Sequence, residues 1–220
     1  YPESDSNYLR KVISKKYNID PNRIVCGAGS DQVFDLICKL FLESGDEVIV
    51  SEYGFIMHRI YASLHGAKVL LAKEKNYTTS VDEILKNVSG KTKIVFIANP
   101  NNPTGTYLSK KEVLRLREKL RSDILLVVDD AYFEFMDKDD FSSGLDIFKD
   151  SDNVFITRTF SKIYGLAGLR LGWGFASREI IEGIYKIKAP FNVNRAALAA
   201  GVKAIEDSEW TKKATEHNTI

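Results

Sequence analysis

The sequence is short of everything that staples, anchors or strongly charges a chain. Two cysteines in 220 residues, Cys26 and Cys38, leave no disulfide framework. With three histidines they supply too few ligands for a metal site, so none is expected. Both cysteines fall in apolar stretches and read as buried free thiols of a reducing cytosol, which predicts a cytoplasmic protein. No apolar run approaches the length of a transmembrane helix, and no signal-peptide pattern opens the chain. The formal charge is +1, so no net field draws the molecule to nucleic acid or to a membrane. Repeats, low-complexity tracts and linkers are absent too. What remains is ordinary globular composition, 44% apolar and 28% charged, enough for one large domain or two small ones.

Apolar residues at helical spacing (Leu9, Val12, Ile13, Tyr17) predict a first helix, with Asp5 or Ser6 as its N-cap. A turn at 20–22 leads into a short strand over 23–26. Gly27-Ala28-Gly29-Ser30-Asp31 then opens a helix with a wide apolar stripe. From there the pattern alternates. Strands are expected over 47–50, 68–72, 94–98, 124–128, 154–156 and 171–176. Helices are expected over 55–64, 81–87, 179–188 and 195–205, and after Ser109, where Glu112 completes a capping box. Residues 137–143 read as a surface loop. Near-continuous apolar strands separated by helices indicate an α/β fold, a mostly parallel sheet covered by helices on both faces. The chain reads as a segment of something longer, since it opens abruptly at Tyr1-Pro2 and stops inside a helical pattern.

In such a sheet ligands bind beyond the carboxyl ends of the strands. Five clusters follow strands and are expected along one edge. Gly29-Ser30-Asp31 opens a helix and offers free backbone N–H groups to an anion. It is no dinucleotide loop, because Gln32 stands where a third glycine belongs. Phe55 could lay its ring on a flat ligand, although an aromatic there commonly just packs. Asn99-Pro100-Asn101-Asn102-Pro103-Thr104-Gly105 is more rigid than a turn requires, which suits presenting an amide. Asp129-Asp130-Ala131-Tyr132 sets carboxylates at the end of a buried strand, where one needs a compensating donor. Alternation turns the two acids to opposite faces, so Asp129 is assigned to the site and Asp130 to a solvated loop start.

The fifth cluster is Thr157-Arg158-Thr159-Phe160-Ser161-Lys162, followed by Gly168-Leu169-Arg170. A lysine becomes a nucleophile at neutral pH when desolvation and nearby cations favour its neutral amine. Arg170 is such a cation, expected buried and without an acid in its own stretch. With Ser161 and Thr159 it could grip a phosphate. Together the clusters hold what pyridoxal 5'-phosphate requires: a Schiff-base lysine, an acid for the pyridine nitrogen, donors to the ring oxygen, a stacking ring and a phosphate cup.

At these residues the chain resembles the fold-type I aminotransferases over nearly its full length. Asn-Asn-Pro-Thr-Gly, Asp-x-Ala-Tyr and Ser-Lys…Gly-Leu-Arg-x-Gly occur in that family's order and spacing. The resemblance implies that Lys162 forms the Schiff base and shuttles the substrate proton. It implies that Asp129 pairs with the pyridine nitrogen and that Asn102 and Tyr132 bind the ring oxygen. Ser30, Asp31, Ser161 and Arg170, with Thr159 nearby, would hold the phosphate, and Phe55 would stack on the ring. Within this class the chain is similar to histidinol-phosphate aminotransferases, through Tyr1-Pro2, Ser51-Glu52-Tyr53-x-Phe55, Glu134-Phe135 after the Asp-x-Ala-Tyr run, and Ala189-Pro190-Phe191-Asn192-Val193-Asn194. That likeness implies transamination between histidinol phosphate and 2-oxoglutarate in histidine biosynthesis, and a homodimer in which Tyr1 reaches the neighbouring subunit's cofactor phosphate. His58 departs from the pattern, standing where many relatives have tyrosine. Residues 1–205 would form the cofactor-binding large domain, and 206–220 the start of a connection to a C-terminal small domain that carries the substrate-gripping arginine. The segment alone is expected to be inactive, with an apolar face on its last helix exposed. Aromatic aminotransferases and phosphothreonine-type decarboxylases share the same parts, as does, less favoured, a non-enzymatic regulator on the same fold.

Overall fold

The protein is described here by a computed structural model in which residues 1–218 are defined. Helix α1 (Asn7–Tyr17) leads to strand β1 (Ile24–Gly27), α2 (Gly29–Phe41), β2 (Glu47–Ser51), α3 (Ile56–Leu64) and β3 (Lys68–Ala72). Next come α4 (Val81–Lys86), β4 (Thr92–Ala98), α5 (Lys110–Lys119), β5 (Leu125–Asp129), the short α6 (Gly144–Phe148) and β6 (Val154–Thr159). Strand β7 (Gly172–Phe175) and helices α7 (Arg178–Ile187), α8 (Arg195–Glu206) and α9 (Ser208–Asn218) complete it.

The seven strands form one sheet in the order β1-β7-β6-β5-β4-β2-β3. Pairs β2–β3, β2–β4, β4–β5 and β5–β6 are parallel, whereas β7 runs antiparallel to both β6 and β1. The expected α/β class is therefore what folds, with β7 as the single reversed strand. Alternation sorts the strand residues onto two cores. Leu125, Val127 and Phe155 pack with Val33, Phe34 and Ala62 of α2 and α3. Leu126, Val128 and Ile156 face the opposite way, toward Leu9, Ile13, Leu116, Leu145 and Val202. Parity then carries Asp129 to the α2–α3 face and Asp130 to the other.

Local chemistry starts the helices where the sequence says they start. Ser80, Ser109, Ser143, Ser177 and Asn194 each accept a backbone N–H from the residue three further on, a cap worth about 1 kcal/mol. One expectation is narrowed and one fails in detail. Ser6 sits in the left-handed region (φ 53°) and makes no side-chain cap, while Asp5 accepts from Asn7 N at 3.2 Å. Glu112 does not close a capping box, because its carboxylate is drawn to Arg115 at 2.6 Å. Both thiols are buried and pushed up to about 12 by desolvation, which keeps them protonated and unreactive. Among the described residues no helix is long and apolar enough to cross a membrane.

Candidate active site

Beyond the carboxyl ends of β4, β5 and β6, beside the start of α2, lies a cavity of about 200 Å³. Its walls bring together Ser30, Asp31, Phe55, Asn102, Asp129, Tyr132, Thr159, Ser161, Lys162 and Arg170. All five strand-following clusters thus meet in one place. Tyr1 is not among them. It is fully exposed, its ring 5.0 Å from that of Phe191, in a separate groove between α1 and α8.

The floor is Asp129, last residue of β5 and 4% exposed. Its Oδ1 accepts from the Thr157 hydroxyl at 3.2 Å, Thr157 being its register partner on β6. Its Oδ2 lies 3.4 Å from His58 Nε2, longer than a well-formed N–H···O bond. His58 is 2% exposed, stacked on Phe96 at 4.8 Å and edge-on to Phe34 and Phe55. Residue 58 lies one helical turn past Phe55, which is why both pack on Phe34. Sequence reasoning gave neither Thr157 nor His58 a role. The signal for Thr157 was strand alternation together with the β5–β6 pairing, and for His58 the i, i+3 spacing from Phe55.

The asparagine loop divides its labour. Asn99 exchanges two hydrogen bonds with the Leu108 backbone, at 2.8 and 3.1 Å, and so closes the loop. Asn101 donates to Thr104 Oγ1 and to the Tyr53 carbonyl. Asn102 alone lines the cavity, with Pro100 beside it. Both Asn–Pro bonds, 99–100 and 102–103, are cis.

At the opposite wall, the start of α2 faces Ser161 and Arg170. Arg170 donates to Asp31 Oδ2 at 2.7 Å, to the Ala167 carbonyl at 3.0 Å and to Ser161 Oγ at 3.4 Å. The expectation of a buried Arg170 is corrected here, while its own stretch does lack an acid, as expected. Its side chain is 47% exposed and Asp31, brought from α2, answers it. Its backbone is left-handed (φ 54°), a costly setting for a non-glycine residue that turns the guanidinium back over the cup. Gly172 makes the close approach possible, since a Cβ there would meet Ser30 N at 2.3 Å. Gln32, out of place for a dinucleotide loop, accepts from Ala28 N and Asn192 Nδ2, both at 2.8 Å, and fixes the entry to α2.

Lys162 stands between floor and cup. It is exposed, and its Nζ lies 4.8 Å from the Tyr132 ring centroid. Its neighbours Phe160 and Ile163 are buried, and Gly165 N closes a turn onto the Lys162 carbonyl at 2.9 Å. The loop is thus anchored on both sides while the amine is free to reach the cavity.

Asp130 is the second correction. Far from a solvated loop start, it is 1% exposed, accepts from Gly144 N at 3.1 Å and lies 3.6 Å from Arg158 Nη2.

The model of the family described as aminotransferase class I and II matches residues 1–219. The chain is 55% identical to the histidinol-phosphate aminotransferase of Pelagibacter ubique over 218 residues, which is 99% of this chain and 61% of that protein. It is 45% identical to the Maricaulis maris enzyme of the same name, over 99% of this chain and 60% of that one. The crystal structure of the Sinorhizobium meliloti histidinol-phosphate aminotransferase, solved in complex with pyridoxal-5'-phosphate, superposes with a TM-score of 0.93 at 28% identity, covering 98% of this chain and 58% of that one. The chain therefore spans about 60% of the length of the curated relatives it matches. On this match the chain belongs to the class I and II aminotransferases.

Proposed function

We propose that the protein is a pyridoxal 5'-phosphate-dependent aminotransferase acting between histidinol phosphate and 2-oxoglutarate. The observation that carries this reading is the shared cavity. An amine (Lys162), a buried carboxylate (Asp129), an amide (Asn102), a phenol (Tyr132) and an anion cup at the start of α2 with Arg170 all line it. That donor set fits the cofactor group by group. The relatives named above support the choice of substrate.

The cofactor, when bound, supplies an electron-accepting pyridine ring that stabilises negative charge at the substrate's Cα. Asp129 would keep a ring nitrogen protonated, and the Thr157 hydroxyl holds one of its oxygens. Asn102 and Tyr132 would bind the ring oxygen and Phe55 would cover one face. Ser30, Asp31, Thr159, Ser161 and Arg170 would hold the phosphate, the backbone N–H groups opening α2 and the guanidinium supplying positive charge. Lys162 would hold the cofactor through its amine and carry the proton to and from the substrate's Cα. The same reading makes residues 1–205 the cofactor domain and 206–220 the start of a connection to a domain that grips substrate. It also makes the protein a cytoplasmic homodimer with the site at its interface, each Tyr1 serving the other subunit's phosphate.

Two measurements on the full-length protein test this. The bound cofactor gives a visible absorption band that Lys162→Ala abolishes; an unchanged spectrum would remove Lys162 from its role. With 2-oxoglutarate as acceptor, kcat/KM for histidinol phosphate exceeds that for phenylalanine. The reverse order would move the protein to the aromatic aminotransferases.

A further inference from the structure

Between Asp129 and Tyr132 the chain leaves β5 and turns. Asp130 N makes a last ladder bond to the Thr157 carbonyl at 2.9 Å, and Phe133 N bonds the Asp130 carbonyl at 3.3 Å. Ala131, between them, lines the cavity. This short turn decides where the Asp129 carboxylate and the Tyr132 phenol point. What holds it lies on the opposite face of the sheet.

There Arg158 is 2% exposed. Its guanidinium carbon sits 3.6 Å from the Phe133 ring centroid and 4.5 Å from that of Tyr17 on α1. Its Nη2 donates to Ser143 Oγ at 3.0 Å and lies 3.6 Å from the Asp130 carboxylate. Arg158 thus touches both ends of the turn, an acid at one and a ring at the other. Its Nε and Nη1 have no hydrogen-bond partner within the protein, and Asp130 Oδ2 likewise has none. Burial of a cation this incompletely bonded costs stability, and a fold that needed only packing here would be served by an apolar side chain. Adjacent residues of β6 therefore hold the end of β5 and the residue after it, Thr157 gripping Asp129 on the site face and Arg158 gripping Asp130 on the back.

We propose that Arg158 is a positioning residue for the active site: by clamping Asp130 and Phe133 from behind the sheet, it fixes the turn that aims Asp129 and Tyr132 at the cofactor. The inference rests on the cofactor reading above and adds to it a residue that touches neither cofactor nor substrate. A lysine could neutralise Asp130 but could not lie flat on Phe133, so charge alone does not satisfy the site.

The test uses the full-length protein in two variants. Arg158→Lys keeps a cation beside Asp130. Arg158→Met combined with Asp130→Asn removes both charges and so avoids an orphaned buried one. Thermal unfolding without cofactor is measured beside pyridoxal 5'-phosphate titration, visible circular dichroism of the bound cofactor, and hydrogen exchange at residues 131–133. Both variants are expected to fold, to bind the cofactor about tenfold or more weakly with an altered visible dichroism, and to exchange faster at 131–133. Wild-type affinity and dichroism in Arg158→Lys would overturn the proposal. So would an affinity loss that merely tracks the unfolded fraction, the folded protein binding as wild type does. Failure of the unmutated protein to bind the cofactor would instead strike the functional reading, and the role of Arg158 would fall with it.

Discussion

Asp129 and Asp130 are neighbours in the chain and equally buried, yet their surroundings differ in kind. Asp129 opens onto a cavity, with a hydroxyl on one oxygen and a histidine beside the other. Asp130 is closed in by Arg158 and the start of α6. The front face turns its polar groups toward the cavity and leaves them reachable. The back face spends them on holding the chain. Asp129 ends β5 and Asp130 continues its alternation by one residue, so the two side chains point to opposite faces, and a carboxylate's surroundings here are set by parity rather than by residue type.

The sharpest way to break this comparison is to exchange the consequences. Asp130→Ala removes the carboxylate 3.6 Å from buried Arg158 Nη2, and loss of one partner of a buried pair costs about 3–5 kcal/mol. In a chain of this size that lowers Tm by roughly 6–20 °C. Asp129→Asn should do the opposite: Tm stays near wild type, while kcat of the full-length enzyme falls about 10²–10³-fold, as for other preorganised electrostatic groups. Calorimetry and steady-state kinetics on the two variants check both. Equal thermal losses would erase the distinction.

Parity also marks where the sequence was legible and where it was not. The alternation of apolar runs gave the α/β class, and the asparagine–proline loop, the Asp-x-Ala-Tyr run and the lysine loop pointed to one edge, where the cavity lies. The two acids were correctly sent to opposite faces. What lay behind Asp130 was hidden, because Arg158 is 28 residues away and meets it only through the β5–β6 register. The same holds for Asp31 and Arg170, joined across 139 residues. Reversal of β7 was invisible for a like reason: antiparallel pairing leaves no mark on a short, buried strand. Local chemistry was readable from the chain, and partners set by pairing were not.

A smaller effect belongs to the back face alone. Desolvation beside Arg158 pushes the carboxyl of partly buried Glu134 up to about 8 and that of Asp130 up to about 6. Each folded value lies above the unfolded one, so the protonated acid favours the folded state. That contribution is fully present below the ordinary carboxylate range and is lost as pH rises through about 6 for Asp130 and about 8 for Glu134. Tm should therefore decline from pH 5 toward pH 8, and Glu134→Gln should flatten the upper half of that decline. An unaltered slope in the variant would show that Glu134 is not the group responsible. Glu134 does not line the front-face cavity, so its removal should leave the shape of the kcat profile alone.

The mildest change tests the front face by itself. Thr157→Val keeps the β-branched shape on β6 and removes only the hydroxyl that reaches Asp129 Oδ1 at 3.2 Å. A single such bond contributes about 1 kcal/mol net, so Tm should shift by no more than a few degrees. If the bond exists to hold a carboxylate for chemistry, the loss should appear in kcat, about fivefold, with KM little changed, because the carboxylate meets the cofactor rather than the substrate. If Thr157 merely fills the strand, the loss should appear in Tm and leave kcat untouched. A stability loss with full turnover would place Thr157 with the back-face residues, and the face a residue points to would then no longer predict what it does.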